Sequence, residues 1–537
     1  MRWFRPAFFV SLVGAGCVSA LFPLGCASIL GLDDTTLRED ASLDAKSHEP
    51  EVGPGGGEGG IADAGTDAHT EPLGCEPPPS DAGFVVQWTT GWRLPDGGYS
   101  KCAKTALRPD MVEVRVLTNV GFTEPKVGTV VKNALVFAGL PDGDRYVHVP
   151  SVHQLYVVRG GHGLDMGYDE IGRPDATKGT GEKLRTKASP TQISGTWRLG
   201  GTVSSPPLMP QNAYSEWPYE FRGAPLLDGT KGDVVWLLGT LPDEAIKGEK
   251  VAEVCTPSSP TTMRPNETTE VTAPCSTVPL QSLIITNAYG SFERSLPGEV
   301  ADEGVVHIDT APSGDSHLTS PNGGWNDARS EDNRLARATI VGDAGDLTMD
   351  VMLPAPSETW VVTAEEQVWK THSIVRVDGS PSTRQWRDVA SSAQAIIGNR
   401  TLGWNIPALP GEVIVHGKDL LKAPATGITT TPTIKITLAS GVYTLPPTGY
   451  RIAIVEVMTG NKRYEIITSQ NEVTVPPLSP DILENGKEYV LEVTTRFAGG
   501  LTWQPMELYS EEEPWRVIRR NDLRMAYMTR VTNAFIP

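Results

Sequence analysis

Sustained helical periodicity is scarce in this 537-residue chain. The best helical stretch, DVASSAQAIIG (388–398), is short and stops at a glycine. That scarcity argues against a helical bundle. Cations are also in deficit: 46 Lys and Arg stand against 65 Asp and Glu, a formal net charge of −19. Nucleic-acid binding depends on clustered Lys and Arg, so the balance argues against that partner. The N-terminal apolar run AFFVSLVGAGCVSALF (7–22) has 16 residues, short of the ~20 that a permanent membrane-spanning helix needs. No G-x-S-x-G, H-E-x-x-H, P-loop or dinucleotide fingerprint occurs. The 65 acidic residues offer too many pairs to single out two for glycoside cleavage. Nine histidines are scattered singly and read as surface or packing residues. No catalytic residue, metal set or cofactor is assigned.

What is present begins with an export signal. Arg2 and Arg5 precede the apolar run, which leads into LFPLGC and Cys26. That ending resembles the lipobox of bacterial lipoproteins. The resemblance implies a signal peptide over 1–25, a diacylglycerol on the Cys26 sulfur, cleavage before Cys26 and acylation of its new amine. Each buried methylene is worth ~0.8 kcal/mol, so several acyl chains hold a protein where one does not. Pro23 stands where leucine is usual, and Cys17 is a second, poorer candidate. Ordinary secretion with a bystander thiol is the competing reading. In the same family an aspartate after the cysteine retains the protein at the inner membrane. Ala27 occupies that place, which implies the outer membrane of a Gram-negative cell, with the lipid anchor as the membrane contact.

Residues 26–83 read as a disordered tether. Positions 27–82 hold thirteen Asp or Glu against Arg38 and Lys46, a net −11. The run EPEVGPGGGEGGIADAGTDAH (49–69) has no apolar pattern. Low hydrophobicity with high like charge cannot offset the entropy of ordering, and glycine with self-repulsion keeps such a chain loose and extended.

Beyond the tether the composition is that of secreted β-structure, with 55 Gly and 44 Pro between short apolar runs. The expected fold class is all-β, in several β-sandwich domains. The first block, 84–160, contains ALVFAGLPDGDRYVHV, a Pro141-Asp142-Gly143 turn between two strand-like runs. Phe137, Gly139, Leu140, Pro141, Gly143, Tyr146 and Val149 resemble the carboxypeptidase regulatory-like, or transthyretin-like, modules. That resemblance implies a seven-strand sandwich without catalytic function. The central region, 161–420, offers strands at ISGTWRL, DVVWLLGTL, SLIITNAY, GVVHIDT, LTMDVML, TWVVTAEEQVW and GEVIVH. Asp228-Gly229 before one of them is a hairpin signal.

The last block, 421–537, alternates clearly. Ile434, Ile436 and Leu438 share one face of a strand; Tyr489, Leu491 and Val493 share one face of another. Leu483, Gly486, Tyr489, Leu491 and Val493 resemble the fibronectin type III family, whose corner tyrosine bonds back to the backbone upstream. The family's early-strand tryptophan is missing near Leu438. The phrase "YVV…GRPDA" and the GC-A-S-x-L-G-x-D-D start also resemble a set of lipoproteins from large-genome Gram-negative bacteria, a likeness that carries no activity.

With Cys17 in the signal and Cys26 lipidated, Cys75, Cys102, Cys255 and Cys275 remain. Four thiols allow three pairings. Nearness in sequence favours Cys75–Cys102 and Cys255–Cys275, and export favours oxidation. Zinc is the rival, without the usual ligand spacing. The second bridge would close a Thr/Pro-rich excursion lacking a core pattern. His162, Asp165, Asp169 and Glu170 form an acidic loop that a divalent ion could use, though solvated loops of this kind are commoner. GDSH (314–317) is similar to a serine block of secreted esterases, but it lies mid-chain and no Asp-x-x-His follows. Trp217 and Trp325 sit in polar stretches and are candidates for stacking on sugars.

Three functions follow. The favoured one is a surface-anchored, non-catalytic lipoprotein using β-sandwiches for binding or adhesion, with a glycan or another envelope protein as partner. The alternatives are a secreted hydrolase of polysaccharide or peptide with a central site, and a structural envelope component.

Overall fold

A computed structural model describes residues 83–93, 99–104, 106–159, 163–166, 168–171, 177–188, 196–201, 211–212, 219–231, 235–244, 248–277, 280–287, 303–312, 334–340, 347–354, 360–396, 407–440, 446–447, 449–478, 482–499 and 524–537. The fold is all-β, built of several sheets with sandwich packing.

The N-terminal strands are β1 (Phe84–Gln87), β2 (Glu113–Thr118), β3 (Thr129–Val131), β4 (Ala134–Phe137), β5 (Asp144–Val149) and β6 (Gln154–Val158). β1, β4 and β3 pair antiparallel, in that order, within one sheet. β5 pairs with β2 on one side and β6 on the other. The Arg145 guanidinium of β5 stands 5.3 Å over the Phe84 ring of β1, tying the two sheets. The Pro141-Asp142-Gly143 turn therefore carries the chain from one sheet to the other. Gly143 has φ +146, and a Cβ there would lie 2.3 Å from the Leu117 carbonyl oxygen, so the crossing requires glycine.

The central strands include β7 (Lys178–Ala188), β8 (Tyr219–Pro225), β9 (Val235–Asp243), β10 (Gly248–Cys255), β11 (Thr268–Ala273), β12 (Cys275–Thr277), β13 (Glu303–Pro312), β14 (Arg334–Ile340), β15 (Trp360–His372) and β16 (Trp386–Ile396). Two expectations fail here. Asp228-Gly229 does not make a hairpin: β8 pairs with β7, whereas β9 pairs with β10. The Asp228 carboxylate instead accepts from the Thr230 backbone (3.1 Å) and hydroxyl (2.6 Å), and Gly229 N donates to Thr261 O at 2.8 Å. The turn thus docks on the 256–274 excursion. The helical stretch 388–398 lies largely in β16, laddered from Trp386 to Ile396 against β15. Its small residues Ala390, Ser391, Ser392 and Ala393 also pair with a C-terminal strand, Arg524–Val531. Backbone pairing on both sides overrides the helix preference of alanine.

The C-terminal strands are β17 (Pro410–Val415), β18 (Thr433–Leu438), β19 (Gly449–Glu456), β20 (Lys462–Thr468), β21 (Glu472–Thr474), β22 (Tyr489–Gly499), β23 (Arg524–Val531) and β24 (Phe535–Ile536). β17, β18 and β21 make one sheet. β20, β19, β22 and β24 make the facing one. Val413, Val415, Ile434, Ile436, Val473, Ile452, Ile454, Ile466, Leu491 and Val493 form the core between them. Each fully buried aliphatic side chain is worth about 1.5–3 kcal/mol.

This core includes Tyr146 of β5 and Leu155 and Val157 of β6. It therefore unites strands from the expected 84–160 block with strands from the last block. β6 lies parallel on β20, with Leu155 opposite Ile466 and Val157 opposite Thr468. At the other edge β23 pairs with both β22 and β16. Neighbouring strands thus continue from β2 through the C-terminal sheet to β16, β15, β13, β14, β10 and β9. The outer face of β19 is covered as well: Ala453, Val455 and Val490 pack with Ile374, Trp386 and Val531.

Candidate functional site at the two edges of the C-terminal sheet

Charged and polar side chains concentrate where the C-terminal sheet meets strands from elsewhere in the chain. At the β6/β20 edge, His148 is 3% exposed. It occupies the inward phase of β5 after Tyr146, a position that alternation reserves for an apolar side chain. One ring nitrogen, Nδ1, lies 2.6 Å from Glu113 Oε1 on β2. The other, Nε2, lies 3.2 Å from the Tyr464 hydroxyl on β20. His153, at φ +52 in the turn before β6, sets its ring edge-on to Tyr464 at 5.4 Å. Its carbonyl accepts from Glu465 N at 2.9 Å. Burial pushes the His148 pKa below its ordinary value, with Glu113 opposing and Arg115 and His153 assisting. Burial also raises the Tyr464 hydroxyl.

On the opposite face of β20 sits Glu465, buried beside Arg451 of β19 and Lys462. Lys462 Nζ donates to it at 2.6 Å, and Arg451 Nε donates to its other oxygen. Burial alone would raise the Glu465 carboxyl, but the two cations hold it down at about 2. Neighbouring Glu492 is pushed up by burial, and the deeply buried Arg496 is lowered to about 10, chiefly by desolvation.

At the β16/β23 edge the joining group is Asp388. Its Oδ1 accepts from Val531 N at 2.8 Å and lies 3.2 Å from His372 Nε2. Arg530 Nη1 donates to Pro410 O at 2.9 Å. The 373–385 connection is fastened beside it. Arg376 Nε and Val377 N donate to Glu488 at 2.9 and 2.7 Å, and Val375 N donates to Asn533 Oδ1 at 3.0 Å. The signal for such residues is an ionisable side chain set among apolar neighbours of a strand, as in YVHV or YEII.

No protein-family model matches the chain, and no curated protein does. Among solved structures it is similar to a streptococcal ancillary pilin, at 10% identity over 59% of this chain and 98% of that one, with a TM-score of 0.13. That score is too low to carry an argument about fold or function.

The residues singled out from sequence are distributed unevenly. Cys26, Cys75, Trp217, Trp325, His162 and the GDSH segment lie outside the described residues. Cys102 lies on the strand Tyr99–Lys104. Asp165 lies on a strand beside β1, whereas Asp169 and Glu170 lie on one beside Thr89–Arg93, in a different sheet. Among the described residues no group of three or more His, Cys, Asp or Glu could hold a metal. Cys255 and Cys275 are joined by a disulfide at facing positions of β10 and β12. The loop they close is better ordered than its composition implies. Met263 enters a core with Leu184, Leu226, Leu227 and Val235. Glu182 of β7 pins the same loop, accepting from Asn266 N at 2.9 Å and from Gly181 N at 3.1 Å. Those backbone donors hold its carboxyl down at about 2.

Leu483, Gly486 and Tyr489 come together at the start of β22. The fully buried Tyr489 hydroxyl accepts from Glu484 N at 3.1 Å, five residues upstream. Gly486 takes φ +78 in the intervening turn, and Leu483 is buried beneath it in the same core as Tyr489.

Proposed function

We infer that this chain is an exported lipoprotein, anchored by acyl groups on Cys26, whose β-sandwich head binds or adheres without catalysis. The acidic 26–83 segment spaces the head from the outer membrane. The carrying observation is the use made of the buried acids. Glu465, Asp388, Glu488 and Glu182 each hold a neighbouring strand or loop through a named cation or backbone N–H. Such fixed joints suit a rigid display scaffold. The C-terminal sandwich reads as a fibronectin type III-like module. Its support is the β17–β18–β21 sheet facing β20–β19–β22–β24, together with the Tyr489 corner. The partner classes are a glycan or another envelope protein.

Two measurements on the full-length protein test this reading. Mass spectrometry of the mature N-terminus should find acylated Cys26; an unmodified residue there removes the anchor. Pull-down from envelope material beside a glycan array should return a partner or a sugar. Silence in both, with hydrolysis of an envelope polymer, would favour the enzymatic alternative.

A further inference from the structure

We propose that His148 is an acid-sensitive latch that holds β5 and β6 on the C-terminal sandwich. The geometry is a buried imidazole engaged on both sides by groups from separate strands. Glu113 comes from β2, and Tyr464 comes from β20, 316 residues beyond His148. The ring therefore bridges the N-terminal strands to β20 beside the parallel β6/β20 pairing. In the neutral ring, Nδ1–H donates to Glu113 and Nε2 accepts the Tyr464 O–H. Protonation puts a hydrogen on Nε2 as well. The Tyr464 hydroxyl must then turn its hydrogen away from the ring. A full charge also appears where water is excluded.

The groups facing His148 are Glu113 and Arg115 on β2, His153 in the turn before β6, and Tyr464 on β20. Glu113 favours the charged ring, whereas burial, Arg115 and His153 oppose it, and burial is the largest of these effects. The folded-state pKa lies below the ordinary value of 6.5. The latch therefore contributes fully above that pH and weakens as pH falls through the lowered value. Loosening frees Leu155 and Val157 from the shared core and exposes the edge of β20.

The test is amide hydrogen exchange on the full-length protein, corrected for intrinsic rates, between about pH 7.5 and about pH 5.5, where histidine changes charge. Peptides from 144–158 and 462–468 should accelerate several-fold on acidification. Peptides from β17 and β18 should hold steady. His148→Gln should abolish the acceleration. Should that variant not fold, Glu113→Gln retains the ring but removes the charge that favours its protonation, so the loosening should move to lower pH. Equal acceleration across all four regions, no acceleration in the native protein, or an unchanged response in His148→Gln would each overturn the latch.

Discussion

The two edges of the C-terminal sheet are joined to the rest of the chain in different ways. At the β16/β23 edge the pairing is antiparallel, six register pairs long, and β16 is itself paired with β15 along its whole length. Asp388 adds a carboxylate aimed at a backbone N–H. At the β6/β20 edge the pairing is parallel and four register pairs long. Parallel ladders are slightly less stable per residue, and here side chains supply what the ladder lacks. Leu155, Val157 and Tyr146 enter the core, while His148, Glu113 and Tyr464 close its rim. A short ladder is therefore held by packing and by a titratable group, a long one by backbone and a fixed acid.

The largest effect that would break this contrast is expected from Leu155→Ala. Core truncations of this kind cost about 2–5 kcal/mol, and exchange measurements should show the β6/β20 edge opening while β16/β23 stays protected. Asp388→Ala should do the reverse. It leaves Val531 N without its buried acceptor, a loss of about 1–3 kcal/mol, and exchange should rise in β16 and β23 alone. Tyr489→Phe touches neither edge and removes one hydrogen bond, about 1 kcal/mol. Calorimetry should record a melting point lower by about 2–4 °C, with both edges shifted equally. The smallest effect concerns acid. Glu182 has a folded-state pKa of about 2 against an ordinary 4.5. Its contribution is present above 4.5 and fades as pH falls towards 2, below the range in which His148 acts. In Glu182→Gln, thermal melts followed by circular dichroism should show a lower melting point near neutrality and a shallower further loss as pH falls.

Much of this architecture is legible in local residue patterns. The alternation Tyr489-Leu491-Val493 declares a strand with one apolar face, and Ile434 and Ile436 declare its opposite number across the core. Each expected central strand overlaps an observed one. Cys255 and Cys275 are readable as a local pair because little chain separates them. The β6/β20 joint is not readable, because local pattern carries no information about partners so distant and a parallel pairing leaves no turn signal. His148 is hidden among nine scattered histidines, although its place in the inward phase of RYVHV marks it. The stretch 388–398 misleads because alanine and serine are also what a strand uses when neighbours crowd it on both sides. Asp228-Gly229 misleads because its carboxylate turns back on Thr230 and leaves the following strand to a different sheet.

The parallel joint also sets an order of events during biosynthesis. A ribosome adds roughly 5–20 residues per second, so β6 emerges on the order of 15–60 s before the β20 residues it rests on. Through that interval Leu155 and Val157 lie on an uncovered margin, guarded on one side by β5 alone. A chaperone that shields residues 144–158 through that interval would guard the joint until β20 arrives.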